Sequence, residues 1–180
     1  MWFWRLNRMT NSRPQSGEYA DYYHGYIQRV PEGNIVQILQ DQLGPIDKGL
    51  SQIDETQASQ LHEPYTWTIK QVVGHLIDAE RVFAYRALRF ASADSQPIPG
   101  MDQNEWVDNN DYENPTLKSL KDELLTIRQG NVLMFGRFAA ECWDRTGTVE
   151  GNPMSVRALA FCMAGHVPHH LEIIKSRISD

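Results

Sequence analysis

Three histidines in two distant segments are the residues of this chain that are best suited to chemistry. His166 and His170 are four residues apart, so on a helix they lie one turn apart on the same face and can bind one ion. His75 belongs to another segment, and a second helix of a bundle would supply its nitrogen from across the core. Three neutral imidazoles leave coordination positions free on a divalent metal. The pattern therefore predicts an open, catalytic type of metal site.

Three residues near these histidines are candidates for further roles. Asp78 follows His75 by three residues and could orient an imidazole or accept a proton, although a solvated surface carboxylate is the alternative. Cys162 precedes His166 by one helical turn, where a thiolate would be a fourth ligand; a small buried core residue is the favoured interpretation. His169 projects about 100° away from its neighbour on a helix, so it is expected outside the ligand set.

Hydrophobic periodicity predicts four amphipathic helices that would position these residues, and almost no strand. The helices are expected over 33–53 with an interruption near Gly44 and Pro45, from a capping box at Thr68 to about Phe90, from Asn114 as cap to about Trp143, and from about Pro153 to Ile178. Residues 147–152 are predicted to form a turn. Pro168 is expected to kink the last helix between its two histidines.

A long segment without sustained periodicity, residues 92–114, joins the second and third predicted helices. It contains Pro97, Pro99 and Gly100 and is interpreted as a crossover connection and a candidate lid. Trp106 within it either anchors the segment on the bundle or lines a pocket mouth, and the anchor is favoured. The predicted fold class is all-α, a four-helix bundle with a long crossover loop between helices 2 and 3.

Composition limits the classes of partner. The net charge of −6 over 180 residues includes no basic stripe, which disfavours nucleic-acid binding. No apolar run is long enough to cross a bilayer, and the hydrophobic start of the chain is too short for a signal peptide. Two cysteines without CxxC spacing suit a reducing, cytoplasmic setting. Residues 1–17, which include Trp2 and Trp4, are predicted as an irregular extension of a single domain over 18–180.

Residues 67–76 and 164–171 resemble the two motifs of the DinB-like superfamily, a histidine early in the second helix and an HxxxH pair in the fourth. The resemblance implies a divalent metal, typically zinc or nickel, held by His75, His166 and His170. It also implies a small-molecule substrate and either hydrolysis or S-transfer with a low-molecular-weight thiol such as bacillithiol or mycothiol. A homodimer is expected by analogy.

Two classes of function remain open from the sequence. The first is a metal-dependent hydrolase or thiol transferase that uses the three histidines. The second is a non-catalytic stress-response or metal-binding module in which the ion mainly holds two helices together. Di-iron bundle enzymes are a third class, and they are set aside because the chain contains no Glu-x-x-His pair.

Overall fold

The computed structural model describes residues 12–94 and 96–178, which are mostly helical. The α-helices of this part of the chain are α1 (His24–Gln28), α2 (Ile35–Asp41), α3 (Leu43–Leu50), α4 (Glu55–Ser59), α5 (Ile69–Ala91), α6 (Gln103–Asn109), α7 (Leu117–Gly136) and α8 (Val156–Arg177). Two short strands, β1 (Thr146–Val149) and β2 (Asn152–Ser155), precede α8. The all-α four-helix bundle is confirmed, with α2 and α3 together, α5, α7 and α8 as its four members. None of the described helices has the length and apolar character to span a membrane.

Helices α5 and α7 run parallel to each other. Lys70, in the first turn of α5, donates a hydrogen bond to the carbonyl of Glu113 just before α7 begins. Further along both helices, Arg81 forms an ion pair with Glu123 at 2.5 Å. The contacts advance in the same direction on both helices, which gives their parallel orientation.

Helix α8 runs antiparallel to α5. Arg177, at the end of α8, donates to the carbonyl of Trp67 just before α5 begins, at 2.8 Å. Arg145, which precedes α8, donates to the carbonyl of Ala91 at the end of α5. This orientation places the first half of α5, with its histidine, opposite the part of α8 from its middle onward, which carries the other two.

The segment between α5 and α7 contains regular structure that the sequence pattern did not indicate. Helix α6 begins after Asp102, whose side chain accepts from the backbone N–H groups of Asn104 and Glu105. Val107 is the buried residue of this helix, whereas Trp106 is 41% exposed. The prediction that Trp106 anchors the segment is therefore wrong, because the apolar residue that packs on the bundle is the next one, Val107.

The predicted start of α5 is confirmed and that of α7 is corrected. Thr68 accepts from the backbone of Gln71, and the side chain of Gln71 accepts from the backbone of Thr68, which makes the expected capping box. The cap of α7 is Thr116, which accepts from the backbone N–H of the residue three positions on at 3.1 Å. Asn114 instead donates to Asp111 through its backbone N–H and its side-chain amide, and it lies three residues before α7 begins.

Residues 146–155 form a β-hairpin where the sequence predicted only a turn. Its two strands pair antiparallel with Val149 opposite Asn152. The intervening Glu150 and Gly151 have φ values of 48° and 77°, as a two-residue type I′ turn requires. Strands of four residues are too short to display a period of two, which is why the pattern did not reveal them.

The first bundle member is interrupted two residues before the predicted position. Helix α2 ends and α3 begins at Gln42, rather than at Gly44 and Pro45. Pro45 is the third residue of α3, where a backbone N–H has no acceptor within the helix, so its missing donor costs no helical hydrogen bond.

Helix α8 continues through Pro168 without the break that would have separated its two histidines. Proline cannot donate to the carbonyl four residues earlier, which is that of Ala164. The side chain of Gln42 donates to this carbonyl at 2.6 Å. The carbonyl of Ala164, which Pro168 leaves without a backbone donor, is thus paired by the side chain of Gln42, the residue between α2 and α3.

Replacing Gln42 with alanine is expected to lower the free energy of unfolding by about 1–2 kcal/mol, because the carbonyl of Ala164 loses its donor and Arg128 loses one acceptor. In a Pro168→Ala background the cost should be smaller, since the new backbone N–H can bond to Ala164. Urea denaturation of the single and double variants measures the difference, with the exposed Gln40→Ala as the control. An equal cost in both backgrounds would contradict this account of the proline.

The described part of the predicted N-terminal extension packs on the bundle. Arg13 donates to the carbonyls of Ile27 and Val30 at the end of α1, at 2.5 and 2.7 Å. Pro14 is buried. Trp2 and Trp4 of the predicted extension lie outside the described residues, and the boundary at residue 18 stays a prediction.

Candidate metal centre

The three predicted histidines meet between α5 and α8. The Nε2 atom of His166 lies 3.1 Å from that of His75 and 3.1 Å from that of His170. Each ring offers a nitrogen within 4.8 Å of the other two. Nitrogens that bind one tetrahedral zinc at 2.0–2.1 Å are about 3.3 Å apart, so this spacing fits three ligands of a single ion.

The protein environment keeps the three imidazoles neutral, as metal ligands must be. Burial lowers the pKa of His75 to about 4 and, with a smaller contribution from neighbouring histidines, that of His170 to about 3. Burial also lowers the pKa of His166, and the adjacent His170 and His75 lower it further. At neutral pH the site therefore presents nitrogen lone pairs rather than positive charge.

Aromatic rings and one close backbone contact position the histidines. The ring of Trp67 lies 5.3 Å from that of His75, and the ring of Tyr26 meets His166 edge-on at 5.1 Å. A Cβ atom at Gly165 would lie 1.9 Å from the carbonyl oxygen of Tyr26. Glycine is therefore required beside His166, because it lets α1 approach α8 closely enough for this aromatic contact.

A cavity of about 410 Å³ borders the histidines. His75 and His166 form part of its wall, together with the aromatic side chains of Tyr23, Tyr26 and Phe83. Cavities of this size hold small organic molecules. Two of the three candidate ligands therefore face a space that a substrate could occupy.

Asp78 is held on the side of α5 that faces the loop before α7. Its carboxylate accepts a hydrogen bond from the hydroxyl of Tyr112, and one oxygen lies 3.9 Å from Arg81. Burial raises the pKa of Asp78, although the bond from Tyr112 opposes that rise. The described residues that line the cavity do not include Asp78.

Cys162 and His169 lie near the triad without joining it. Cys162 is fully buried in the apolar cluster around α8, and burial raises the pKa of its thiol. His169 contacts the rings of Tyr26 and His170, with centroids 5.2 and 5.0 Å away. Among the described residues, the group that could hold an ion consists of the three predicted histidines.

A buried polar network beside the site was not identified from the sequence. Arg128 donates to Glu80 at 2.5 Å and to the carbonyl of Met163 at 3.2 Å, and Asn131 donates to Glu80 at 2.8 Å. Arg128 also donates to Gln42. The available signal was that Arg128 and Asn131 interrupt the apolar stripe of α7, where a charged residue needs a buried partner.

The metal-free protein is expected to lose stability as the pH falls below about 6.5. The folded pKa values of His75 and His170 lie below the reference value of 6.5, so the unfolded chain binds more protons in this range. Between pH 7 and pH 5 the loss should be on the order of 2–4 kcal/mol. Urea denaturation at several pH values measures it, and His75→Leu should flatten the profile. An unchanged slope in that variant would contradict the assignment.

Two solved structures share this fold. YfiT from Bacillus subtilis, described provisionally as a metal-dependent hydrolase with an unusual four-helix bundle topology, matches with a TM-score of 0.72 and 15% identity over 92% of this chain and 90% of that one. A mycothiol-dependent maleylpyruvate isomerase matches with a TM-score of 0.66 and 11% identity over 81% of this chain. This chain spans 61% of the isomerase.

Sequence comparison gives the family. The chain is 27% identical over 161 residues to a protein of Oceanobacillus iheyensis that is provisionally named a metal-dependent hydrolase; the match covers 84% of this chain and 92% of that protein. The family model of the DinB superfamily matches residues 45–174, well over half of the chain and including all three histidines. The chain therefore belongs to the DinB superfamily.

Proposed function

We propose that the protein is a divalent-metal-dependent enzyme, with hydrolysis of a small molecule as the first candidate reaction. His75, His166 and His170 would hold the ion. The observation that carries the proposal is the convergence of three neutral Nε2 atoms, two of them from residues on the wall of a cavity of about 410 Å³. A divalent ion there would supply Lewis acidity, which lowers the pKa of a water or thiol nucleophile at neutral pH.

The set of three nitrogen ligands favours a metal ion between the hard and the soft cations. Three imidazole nitrogens suit zinc and nickel better than calcium or magnesium, which prefer oxygen ligands. The ligand group among the described residues contains no carboxylate. Zinc and nickel are therefore the metals we propose.

Tyr26 is the residue of the cavity that we propose as a hydrogen-bond donor to the substrate. Its ring contacts His166, and its pKa is raised by burial first and by a hydrogen bond with Tyr22 second. The hydroxyl thus stays protonated at neutral pH, and by exchanging Tyr22 for a substrate carbonyl oxygen as its acceptor it can stabilise negative charge that develops there. The neighbouring Phe83 and Tyr23 reduce the access of bulk water to this part of the cavity.

Transfer to a low-molecular-weight thiol is the second candidate reaction. The Oceanobacillus iheyensis relative is named for hydrolysis, whereas the isomerase of similar fold is named for its dependence on mycothiol. The structural likeness to the isomerase rests on 11% identity, so hydrolysis has the stronger support. Water and a thiol would approach the same free positions beside the histidines, and only the nucleophile would differ.

A non-catalytic module with a structural ion is the alternative. Such an ion is usually enclosed by protein ligands on all sides. Here His75 and His166 border an open cavity, which supports catalysis. Removal of the metal should accordingly leave the helical fold intact, as circular dichroism before and after chelation will show; unfolding on chelation would favour the structural alternative.

The deciding experiment is an activity screen of zinc-loaded and nickel-loaded protein. Esters, amides and lactones are offered with water alone and with bacillithiol or mycothiol. We expect turnover that chelation removes and added metal restores. Faster turnover with a thiol would favour transferase activity. Absence of metal-dependent turnover with either nucleophile would count against an enzyme.

Asp78 is assigned a positioning role in this proposal, because its carboxylate holds Tyr112 and does not line the cavity. Replacement with asparagine should lower kcat less than about threefold and reduce stability by roughly 1 kcal/mol, the value of one hydrogen bond. Steady-state kinetics across pH checks this. A fall in kcat of about 100-fold or more, together with loss of the acidic limb of the pH–rate profile, would instead identify Asp78 as the general base.

Assembly and location stay predictions. A homodimer is expected by analogy, and light scattering of the purified chain measures its mass directly. A cytoplasmic location rests on the sparse use of cysteine.

A further inference from the structure

Arg86 is a buried cation on the wall of the cavity that His75 and His166 border. The residue is 3% exposed. Its Nη2 donates to the carbonyl of Pro99 at 3.1 Å, and its Nη1 lies 3.5 Å from the hydroxyl of Tyr23. Its Nε is buried without a hydrogen-bond partner in the part of the chain that the structure describes. Such an orphaned donor calls for an explanation.

The charge of Arg86 is not balanced by the groups around it. Both of its acceptors are neutral, and a buried guanidinium without an anion is destabilising. Asp102 and Glu150 line the same cavity, but both are exposed, and within residues 12–94 and 96–178 neither forms an ion pair with Arg86. By contrast, the equally buried Arg128 is paired with Glu80.

We propose that Arg86 binds a carboxylate of the substrate, so that the enzyme acts on small molecules that carry a carboxylate remote from the reacting group. The assignment of the reacting end rests on the proposed function. A guanidinium offers two N–H groups side by side, the arrangement that matches the two oxygens of a carboxylate, and Arg86 lines the cavity. The anion would also neutralise the buried charge.

Helical geometry sets the distance between the two ends of such a substrate. Arg86 lies eleven residues after His75, which is three turns, so both side chains project from the same face of α5. The rise between their Cα atoms is about 16 Å, which the length of the arginine side chain reduces. A carboxylate on Arg86 is therefore several bonds away from a group attacked at the histidines. The cavity borders Arg86 as well as His75 and His166, and its volume of about 410 Å³ accommodates a small organic molecule.

A carboxylate suits this site better than a phosphate. Arg86 is the cation of the cavity wall among the described residues, and the mouth carries the two carboxylates of Asp102 and Glu150. A phosphate dianion would meet repulsion from both and would be matched by one guanidinium only. A monoanion needs a single arginine and suffers less repulsion.

The test uses a pair of probes of equal shape, valerate and its neutral amide valeramide. Their affinities are measured by NMR titration of the wild type and of three variants, Arg86→Gln, Arg86→Lys and the control Arg137→Gln, whose arginine is exposed at the end of α7. Each protein is tested zinc-loaded and after chelation. Thermal denaturation checks that the variants fold. If Arg86→Gln does not fold, Arg86→Lys still tests the site, because lysine keeps the charge and a donor for the carbonyl of Pro99.

The expected result is an Arg86-dependent preference for the charged probe with and without zinc. Arg86→Gln should weaken valerate binding by at least about tenfold, and Arg86→Lys should weaken it by roughly threefold because the two-pronged contact is lost. Arg137→Gln should change it less than about twofold, since a distant exposed charge is screened. Valeramide binding should be unaffected in all three variants.

Several outcomes would overturn the proposal. They are undetectable valerate binding by the wild type, equal affinity for valeramide, valerate binding that Arg86→Gln leaves unchanged, and binding that requires zinc but not Arg86. Tighter, Arg86-dependent binding of inorganic phosphate would overturn the choice of carboxylate. If the wild type binds no metal and yet binds valerate through Arg86, the proposed metalloenzyme fails and the anion site stands.

Discussion

Replacing His166 with alanine is expected to abolish metal binding. The Nε2 atom of His166 lies 3.1 Å from that of His75 and 3.1 Å from that of His170, so His166 is the histidine next to both of the others. Metal content should fall from roughly one ion per chain to almost none, because loss of a direct ligand costs more than the 10–100-fold in affinity that a supporting partner contributes. Elemental analysis of protein purified with zinc or nickel gives the ratio.

His169→Ala is the matched control for this variant. It removes a histidine from the same turn of α8, one that contacts the ring of His170 but lies outside the ligand group. Metal content should remain at the wild-type ratio. Folding of the His166→Ala variant is checked by circular dichroism without metal, because truncation of a buried side chain leaves a cavity and lowers stability. Retained metal in His166→Ala, or equal loss in His169→Ala, would contradict the triad.

The predictable part of the site came from helix periodicity. A spacing of four residues places two side chains on one face whatever surrounds them, so the convergence of His166 and His170 could be expected from their positions alone. Their meeting with His75 required only that α5 and α8 be antiparallel neighbours, which the family motifs imply. The bundle itself followed from four amphipathic segments, each long enough to show a period of 3.6 residues.

The unpredicted parts depend on contacts between segments distant in sequence. Pro168 was expected to bend α8, and no local pattern could reveal that Gln42 satisfies the carbonyl that proline leaves free. The hairpin before α8 was missed because its strands are only four residues long and its turn, Glu150–Gly151, is the only part with a local signature. Arg86 shares the helical face of His75, but its burial and its orphaned donor depend on loops that fold over α5.

The placement of Asp78 illustrates a limit of reasoning from helix spacing. Its spacing of three residues from His75 predicts a place at the margin of the site, and a role in proton transfer stays a prediction. The structure shows its carboxylate bonded to Tyr112, whose ring packs on Gly74 so closely that a Cβ there would lie 2.3 Å away. Helix spacing gives only the direction in which the Asp78 side chain projects. The loop before α7 places Tyr112 there as its hydrogen-bond partner.

Replacing Glu80 with alanine is expected to be the most damaging single change to stability. It would leave Arg128, whose side chain is fully buried, without its carboxylate partner. Such an unpaired buried charge costs about 3–5 kcal/mol. The exposed pair formed by Arg81 and Glu123 joins the same two helices, so Glu123→Ala is the matched control and should cost less than about 1 kcal/mol. Urea denaturation of the metal-free proteins measures both.

The double variant Glu80→Leu, Arg128→Met separates the charge from the packing. Because both charges leave together, the double variant should be more stable than Glu80→Ala alone. It should not fully recover the wild-type stability, since Arg128 also donates to Gln42 and to the carbonyl of Met163, three residues before His166. If these bonds help to hold the histidines in place, the double variant will fold and yet bind zinc more weakly than the wild type. A double variant as unstable as Glu80→Ala would show that packing, rather than the unpaired charge, dominates at this junction.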